Sequence, residues 1–284
     1  MIPKGRLIII GGHEDKGIEG ENLTVIKRKN ASNKDHFEIL SELISKIPRS
    51  HHVIEIITTA SSIPEEMEDT YRKAYKNAGF TKVNFIRIEN IMEANKDEYI
   101  QRIKFCHAVF FTGGDQSSLI SILTGTNVLI EIKQKYLMDE HFIVAGTSAG
   151  AMAIPETIIE GGIIREALMK DDIKIGPGFN FIDDIIVDTH FIKRGRFARL
   201  CHAVALHPTL LGIGLGEDTA LIISNGNEAK CMGSGMVIII DGSQITKTNV
   251  TQVTSDNQII IENLKVHIIA EGSNFLIKER KIST

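Results

Sequence analysis

The run Gly146-Thr147-Ser148-Ala149-Gly150 carries the strongest chemical signal in the sequence. It follows the apolar stretch Phe142–Ala145 and precedes Ala151-Met152-Ala153, which can open a helix. This is G-x-S-x-G in a strand–turn–helix setting. The glycines matter because side chains at so tight a turn would strike neighbouring backbone. The turn lifts the Ser148 hydroxyl above the strand ends. It also aims the next backbone N–H groups, Ala149 first, towards a developing oxyanion. The competing reading is a plain glycine turn with a capping serine.

A serine hydroxyl needs a base to act as a nucleophile at neutral pH. Of the ten histidines, His190 is the best placed, because it ends the strand-like run Ile185-Ile186-Val187-Asp188-Thr189-His190. His51, His52 and His107 precede strands, which puts them at the opposite edge of the sheet. His202 and His207 flank a helical stretch and read as structural. No histidine pair has metal-ligand spacing. The third group should be a carboxylate that holds the imidazole in one tautomer. Glu217 lies between two apolar segments, and Asp188 can share a strand face with His190. The sequence leaves that choice open.

Two further clusters stand near these residues. Gly113-Gly114-Asp115-Gln116 follows a strand, so the backbone around Gly114 can serve an oxyanion and Gln116 can supply a polar contact. Lys193, Arg194, Arg196 and Arg199 crowd behind His190. They read either as a solvated face or as a bidentate site for a substrate carboxylate.

The elements that must position these groups alternate along the chain. Arg6–Ile10 reads as a buried strand ending in Gly11-Gly12, and Asp35–Ile47 has helical spacing. His52–Thr59 reads as a strand. A helix then starts at Ser62-Ile63-Pro64-Glu65, with Ser62 as cap, and stops at Gly79. Strands follow at Val83–Ile88, Ala108–Thr112 and Phe142–Ala145, with helices at Lys96–Lys104 and from Gln116. Such β-α-β-α order with apolar strands predicts a parallel sheet covered on both faces. From Ala220 the chain turns Ile- and Val-rich, with turn dipeptides Asn225-Gly226 and Asp241-Gly242. That stretch predicts antiparallel strands. One α/β domain over 1–284 is expected, with 220–284 as its β-rich extension.

Composition narrows the function classes. The 284 residues are 43% hydrophobic and 24% charged, with a formal net charge of −4. A chain this long buries enough surface to fold without metal or disulfide. No apolar run reaches the roughly 18 residues a membrane helix needs, and the N-terminus has no signal-peptide pattern. A mildly acidic chain is not built to bind nucleic acid. Cys106, Cys201 and Cys231 are odd in number and far apart, which fits thiols in a reducing cytoplasm.

Taken together, Gly11-Gly12-His13-Glu14-Asp15-Lys16, Phe110–Gln116, Gly146–Ala151, Asp188–Phe191 with the arginines behind it, and Gly214–Ala220 resemble the cyanophycinase family. That family belongs to the serine peptidases that also include peptidase E. The pieces follow the family's order over roughly residues 5–240. The resemblance implies a three-layer α/β/α sandwich like the class I glutamine amidotransferases. It maps the nucleophile onto Ser148, the base onto His190 and the acid onto Glu217. It maps the substrate pocket onto Gln116, Asp188, Thr189, Arg194, Arg196 and Arg199. It implies a homodimer that needs no metal or other cofactor. It also implies release of β-aspartyl-arginine dipeptides from cyanophycin, a polyaspartate with an arginine on each side-chain carboxyl. Two positions depart from the family: Thr189, where cyanophycinases can carry glutamine, and His13, where a small residue is common. Cleavage of α-aspartyl dipeptides is the nearest alternative. An α/β-hydrolase esterase, with Asp172 or Asp183 as acid, and a non-catalytic binder of acidic or zwitterionic polymers rank lower.

Overall fold

Side chains alternate across a strand, and here both sets are buried. In the first strand, β1 (Arg6–Ile10), Leu7 and Ile9 join one apolar cluster and Ile8 and Ile10 join another. A sheet apolar on both faces needs cover on both. The computed structural model describes residues 1–16, 38–45, 53–80, 82–162, 168–254 and 257–283. Helix α1 (Glu38–Ser45) follows β1, and α2 (Pro64–Ala78) joins β2 (Val53–Ile57) to β3 (Lys82–Ile86). Then come α3 (Asp97–Phe105), β4 (Ala108–Phe111), α4 (Gln116–Leu123), α5 (Asn127–Met138) and β5 (Ile143–Thr147). Strands β1 to β5 pair in parallel, in the order β1-β5-β4-β2-β3. Leu40, Leu43, Tyr71 and Tyr75 cover one face. Ile103, Leu119, Leu123, Ile132 and Tyr136 cover the other. Burying each such side chain contributes about 1.5–3 kcal/mol.

After β5 come the short α6 (Ala149–Ala153), the hairpin β6 (Thr157–Gly162) and β7 (Ile173–Pro177), β8 (Ile185–Asp188), α7 (Phe197–Leu206) and β9 (Leu211–Leu215). The C-terminal part adds β10 (Thr219–Ser224), β11 (Glu228–Gly233), β12 (Met236–Asp241), β13 (Lys247–Thr248), β14 (Ile261–Glu262), β15 (Lys265–Ala270), β16 (Asn274–Leu276) and β17 (Lys281–Ser283). Strands β10, β11, β16 and β17 continue the main sheet antiparallel beyond β1. A second sheet runs β15-β12-β9-β8, with β8 and β9 parallel. Its outer face packs under α7 through Ile186, Leu200, Val204 and Ile240. The result is a mixed α/β fold with a mostly parallel core and antiparallel C-terminal strands. No helix among the described residues is long and apolar enough to cross a membrane.

Several local expectations meet their structure here. Asn225 and Gly226 both have positive φ, 55° and 61°, which suits the tight turn between β10 and β11. Asp241-Gly242 closes no hairpin, because β12 pairs with β9 and β15 instead. Helix α2 is not capped by Ser62. Ile63 holds the cap position without a side-chain bond, and Pro64 supplies the preset φ of a first helical residue. Gly79 ends that helix at φ 107°, donating to the Lys76 carbonyl at 3.0 Å. The sequence reading has no counterpart for α5. Its buried residues Val128, Leu129, Ile132 and Tyr136 nevertheless follow helical spacing. The helix read at Asp35–Ile47 appears as α1; its outer residues, and His51 and His52, lie outside the described set.

A buried ion pair ties α3 to the sheet. Glu55 on β2 is 1% exposed and accepts from Arg102 of α3 and, at 2.9 Å, from the Asn84 amide. Removing Arg102 strands that carboxylate in an apolar layer. Arg102→Ala is therefore expected to lower unfolding free energy by about 3 kcal/mol, read from urea denaturation.

Candidate active site

The C-terminal end of β1 organises the groups singled out in the sequence. Ile10 accepts from the Ser148 N–H at 3.0 Å, Gly11 from His190 N–H at 2.8 Å, and Gly12 from Asp218 N–H at 2.9 Å. Three loops, following β5, β8 and β9, are thus hung on consecutive carbonyls. Glycine is required at two of these positions. A Cβ on Gly11 would lie 1.8 Å from the Gly216 carbonyl oxygen, and one on Gly12 would lie 2.3 Å from the His190 ring.

Ser148 sits between β5 and α6 with φ 51° and ψ −117°, a strained conformation for a non-glycine residue. Both flanking glycines are packing requirements. A Cβ on Gly146 would lie 2.6 Å from Gly150 backbone, and one on Gly150 would lie 2.2 Å from the Phe111 carbonyl oxygen. The bend places Ser148 Oγ 3.0 Å from His190 Nε2. His190 Nδ1 lies 2.8 Å from Glu217 Oε1. An ionised carboxylate only accepts, so Nδ1 carries the proton and Nε2 offers its lone pair to the serine hydroxyl. Glu217 also accepts from Lys193 at 3.1 Å through Oε2.

These surroundings set the proton affinities. Burial disfavours the charged imidazolium and pulls His190 below the usual histidine range. Glu217 opposes that shift through its hydrogen bond without cancelling it. Burial pushes Glu217 up, but hydrogen bonds from His190 and Lys193 outweigh it and hold the carboxyl below its ordinary value.

The Gly113-Gly114 turn passes beside the serine. A Cβ on Gly113 would lie 3.3 Å from Ser148 Cβ, and Gly114 has φ 141° with the Ala60 carbonyl where a Cβ would go. Ala149 is the first residue of α6, so its N–H has no intrahelical acceptor. Gln116 turns its amide nitrogen to the Glu160 and Ile159 carbonyls of β6, at 2.8 and 3.2 Å.

The structure separates the two carboxylates that the sequence left open. Asp188 is fully buried, and its oxygens are bonded to groups other than the imidazole. It accepts from Arg196 at 2.9 Å, from Arg199 Nε at 2.8 Å and from Thr189 N–H at 2.9 Å. Arg196 also donates to the Thr189 carbonyl at 2.8 Å. The side chains of Asp188 and Thr189 are sealed and that of Arg199 nearly so, whereas the resemblance implies that all three contact substrate. Thr189 is 0% and Arg199 7% exposed. Arg194 alone of the three arginines is exposed, with no carboxylate partner among the described residues. The esterase acid Asp172 bonds the Met169 N–H at 2.8 Å, in another loop. His202 is buried within α7.

Two residues of the first glycine turn have roles that the sequence did not show. His13, at φ 49°, brings its Nε2 to 3.7 Å from Glu217 Oε1 and its ring edge-on to His190. Glu14 is fully buried and accepts from the Tyr71 hydroxyl at 2.7 Å and the Thr147 hydroxyl at 2.6 Å. It thereby holds the residue just before Ser148. Only their place in a glycine-rich turn hinted at either.

A serine, an imidazole and a carboxylate in this order can turn a hydroxyl into a nucleophile. Comparison with known proteins identifies the chain. The profile of Peptidase family S51 matches residues 25–231. The chain belongs to peptidase family S51. It is a serine-type peptidase. Among S51 relatives, it is similar to a cyanophycinase from Trichormus variabilis, 31% identical over 279 residues, covering 98% of this chain and 88% of that one. The fold is similar to that of a peptidase from an acI-B1 Actinobacterium, with TM-score 0.67 and 20% identity over 96% of this chain and 97% of that one. A putative peptidase E from Listeria monocytogenes aligns with TM-score 0.51 and 14% identity, over 81% of this chain and 99% of that one.

The His190 environment has a direct readout. In proton NMR, the His190 ring, assigned by its loss in His190→Ala, is expected to titrate below an exposed histidine. Glu217→Gln removes the group that raises its proton affinity, so the titration should move further down.

Proposed function

We propose that this S51 peptidase hydrolyses the aspartate backbone of cyanophycin and releases β-aspartyl-arginine. Ser148 attacks the main-chain carbonyl carbon while His190 Nε2 takes its proton. Glu217 orients the ring and stabilises the imidazolium. The N–H groups of Gly114 and Ala149 receive the oxyanion. His190 then protonates the leaving amine, and water releases the acyl-enzyme by the same route in reverse.

The observation that carries this reading is the unbroken relay from Ser148 Oγ through His190 to Glu217. Similarity to a cyanophycinase over nearly the whole chain supports the substrate. The exposed Arg194 supports it too. In a β-aspartyl-arginine unit the arginine keeps its own carboxylate, which a guanidinium can bind bidentately. Arg196, Arg199 and Asp188 then act from below, by fixing the loop that carries His190, and Gln116 by anchoring α4 to β6. Three buried, unpaired cysteines fit a reducing compartment.

Mass analysis after incubation with cyanophycin tests the proposal. Wild type should yield β-aspartyl-arginine, and Ser148→Ala or His190→Ala should lower the rate by roughly 10⁴-fold or more. Intact polymer beside cleaved α-aspartyl dipeptides would move the substrate assignment to the short peptides. The pH profile follows from the imidazole. His190 must be neutral to accept the serine proton, and burial lowers its proton affinity. The acid limb of kcat/KM is therefore expected below the pH at which an exposed histidine titrates.

A further inference from the structure

We propose that His13, His190 and Glu217 form a binding site for a zinc ion, and that zinc bound there switches the peptidase off. The inhibitory half of this inference rests on the catalytic reading above; the binding half does not. One donor atom from each of the three residues lies within 4.8 Å of the other two. Glu217 Oε1 is the shared point, 2.8 Å from His190 Nδ1 and 3.7 Å from His13 Nε2. Tetrahedral zinc, with nitrogen and oxygen ligands near 2.0–2.2 Å, spaces its donors about 3.3 Å apart. The two separations from Glu217 straddle that value, and the two imidazole donors lie within 4.8 Å of each other, so side-chain rotation must draw the histidines together around the ion. Two histidines and a glutamate, with a fourth position left to solvent, form a donor set that zinc accepts.

The arrangement also gives zinc a way in. The His13 side chain is 56% exposed, whereas that of His190 is 6% exposed. His13 therefore brings a ligand from the solvent side to a pair otherwise enclosed. Lys193 takes the other carboxylate oxygen, leaving Oε1 facing both imidazoles.

The consequence for chemistry is a matter of valence. A neutral imidazole carries one proton and one lone pair. Zinc on Nδ1 occupies that lone pair and displaces the proton, which moves to Nε2. Nε2 then donates and no longer accepts from Ser148. The hydrogen bond from Nδ1 to Glu217 is lost in the same event.

Competition with a chromophoric zinc chelator measures binding without any substrate. One zinc per chain is expected for wild type and for Ser148→Ala, because the serine is not a ligand. His13→Asn keeps a residue tolerant of positive φ and removes the donor. Loss of an outer partner alone costs a metal site about 10–100-fold in affinity, so this variant should lose at least 10-fold. Zinc should inhibit wild-type hydrolysis of cyanophycin, reversibly with excess chelator. His13→Asn, compared with its own metal-free rate, should need at least 10-fold more zinc. No zinc bound, equal binding by His13→Asn, or full activity with zinc bound would each overturn the proposal. Zinc binding by a protein that cleaves neither cyanophycin nor α-aspartyl dipeptides would instead sink the catalytic reading and leave the metal site standing.

Discussion

The carbonyls of Ile10, Gly11 and Gly12 are the constraint on which the site depends. Each accepts one backbone N–H, from Ser148, His190 and Asp218 in turn. These three loops come from residues far apart in sequence, and two of them belong to the second sheet. Their side chains meet only because one short stretch of main chain holds all of them in register. Backbone acceptors are suited to this task, since a buried carbonyl left unpaired is costly and a peptide group does not change rotamer. The glycines make it possible: any side chain at position 11 or 12 would occupy space already taken by Gly216 or His190.

Holding the loops this way stores strain. His13, Ser148, His190 and Asp218 all have positive φ without being glycine, and each such residue costs on the order of 1–3 kcal/mol. Their concentration around one turn requires compensation from nearby. Part of it is polar and buried. Glu14 binds Thr147 and Tyr71 beneath the serine bend, and Asp188 gathers Arg196, Arg199 and the Thr189 N–H beneath the histidine. Two guanidinium groups around one sealed carboxylate satisfy its oxygens and rigidify the loop. Part of the compensation is apolar. Ile9 and Val144 lie in the same cluster as Val187, Ile213 and Leu215, so the strands that end at the site share one core.

The local character of the site was legible because it resides in short, contiguous patterns. Glycine pairs mark places where backbone must approach backbone, and a serine between glycines after an apolar run marks an exposed bend. Those features follow from the sterics of a few neighbouring atoms, and the structure carries them at Gly113-Gly114 and Gly146–Gly150. Strand alternation was legible for the same reason. Helix α5 was less so, because its polar positions dilute the apolar spacing. The Ser62 cap failed because the helix opens at Pro64, which puts Ile63 and not Ser62 at the cap position; the preset φ of proline, not the hydroxyl, fixes the start.

The sequence by itself determined an α/β chain with buried parallel strands, a strained serine bend, and a short list of histidines and acids able to serve it. Only the tertiary structure decided which acid meets His190, by turning Asp188 inward to the arginines and bringing Glu217 across from another strand. It likewise left Arg194 exposed, drew the partly buried Arg196 and the buried Arg199 onto Asp188, and set His13 beside Glu217. These outcomes depend on distances between segments separated by tens to hundreds of residues. Such distances are set by how sheets stack and where strands end, and no spacing along the chain encodes them.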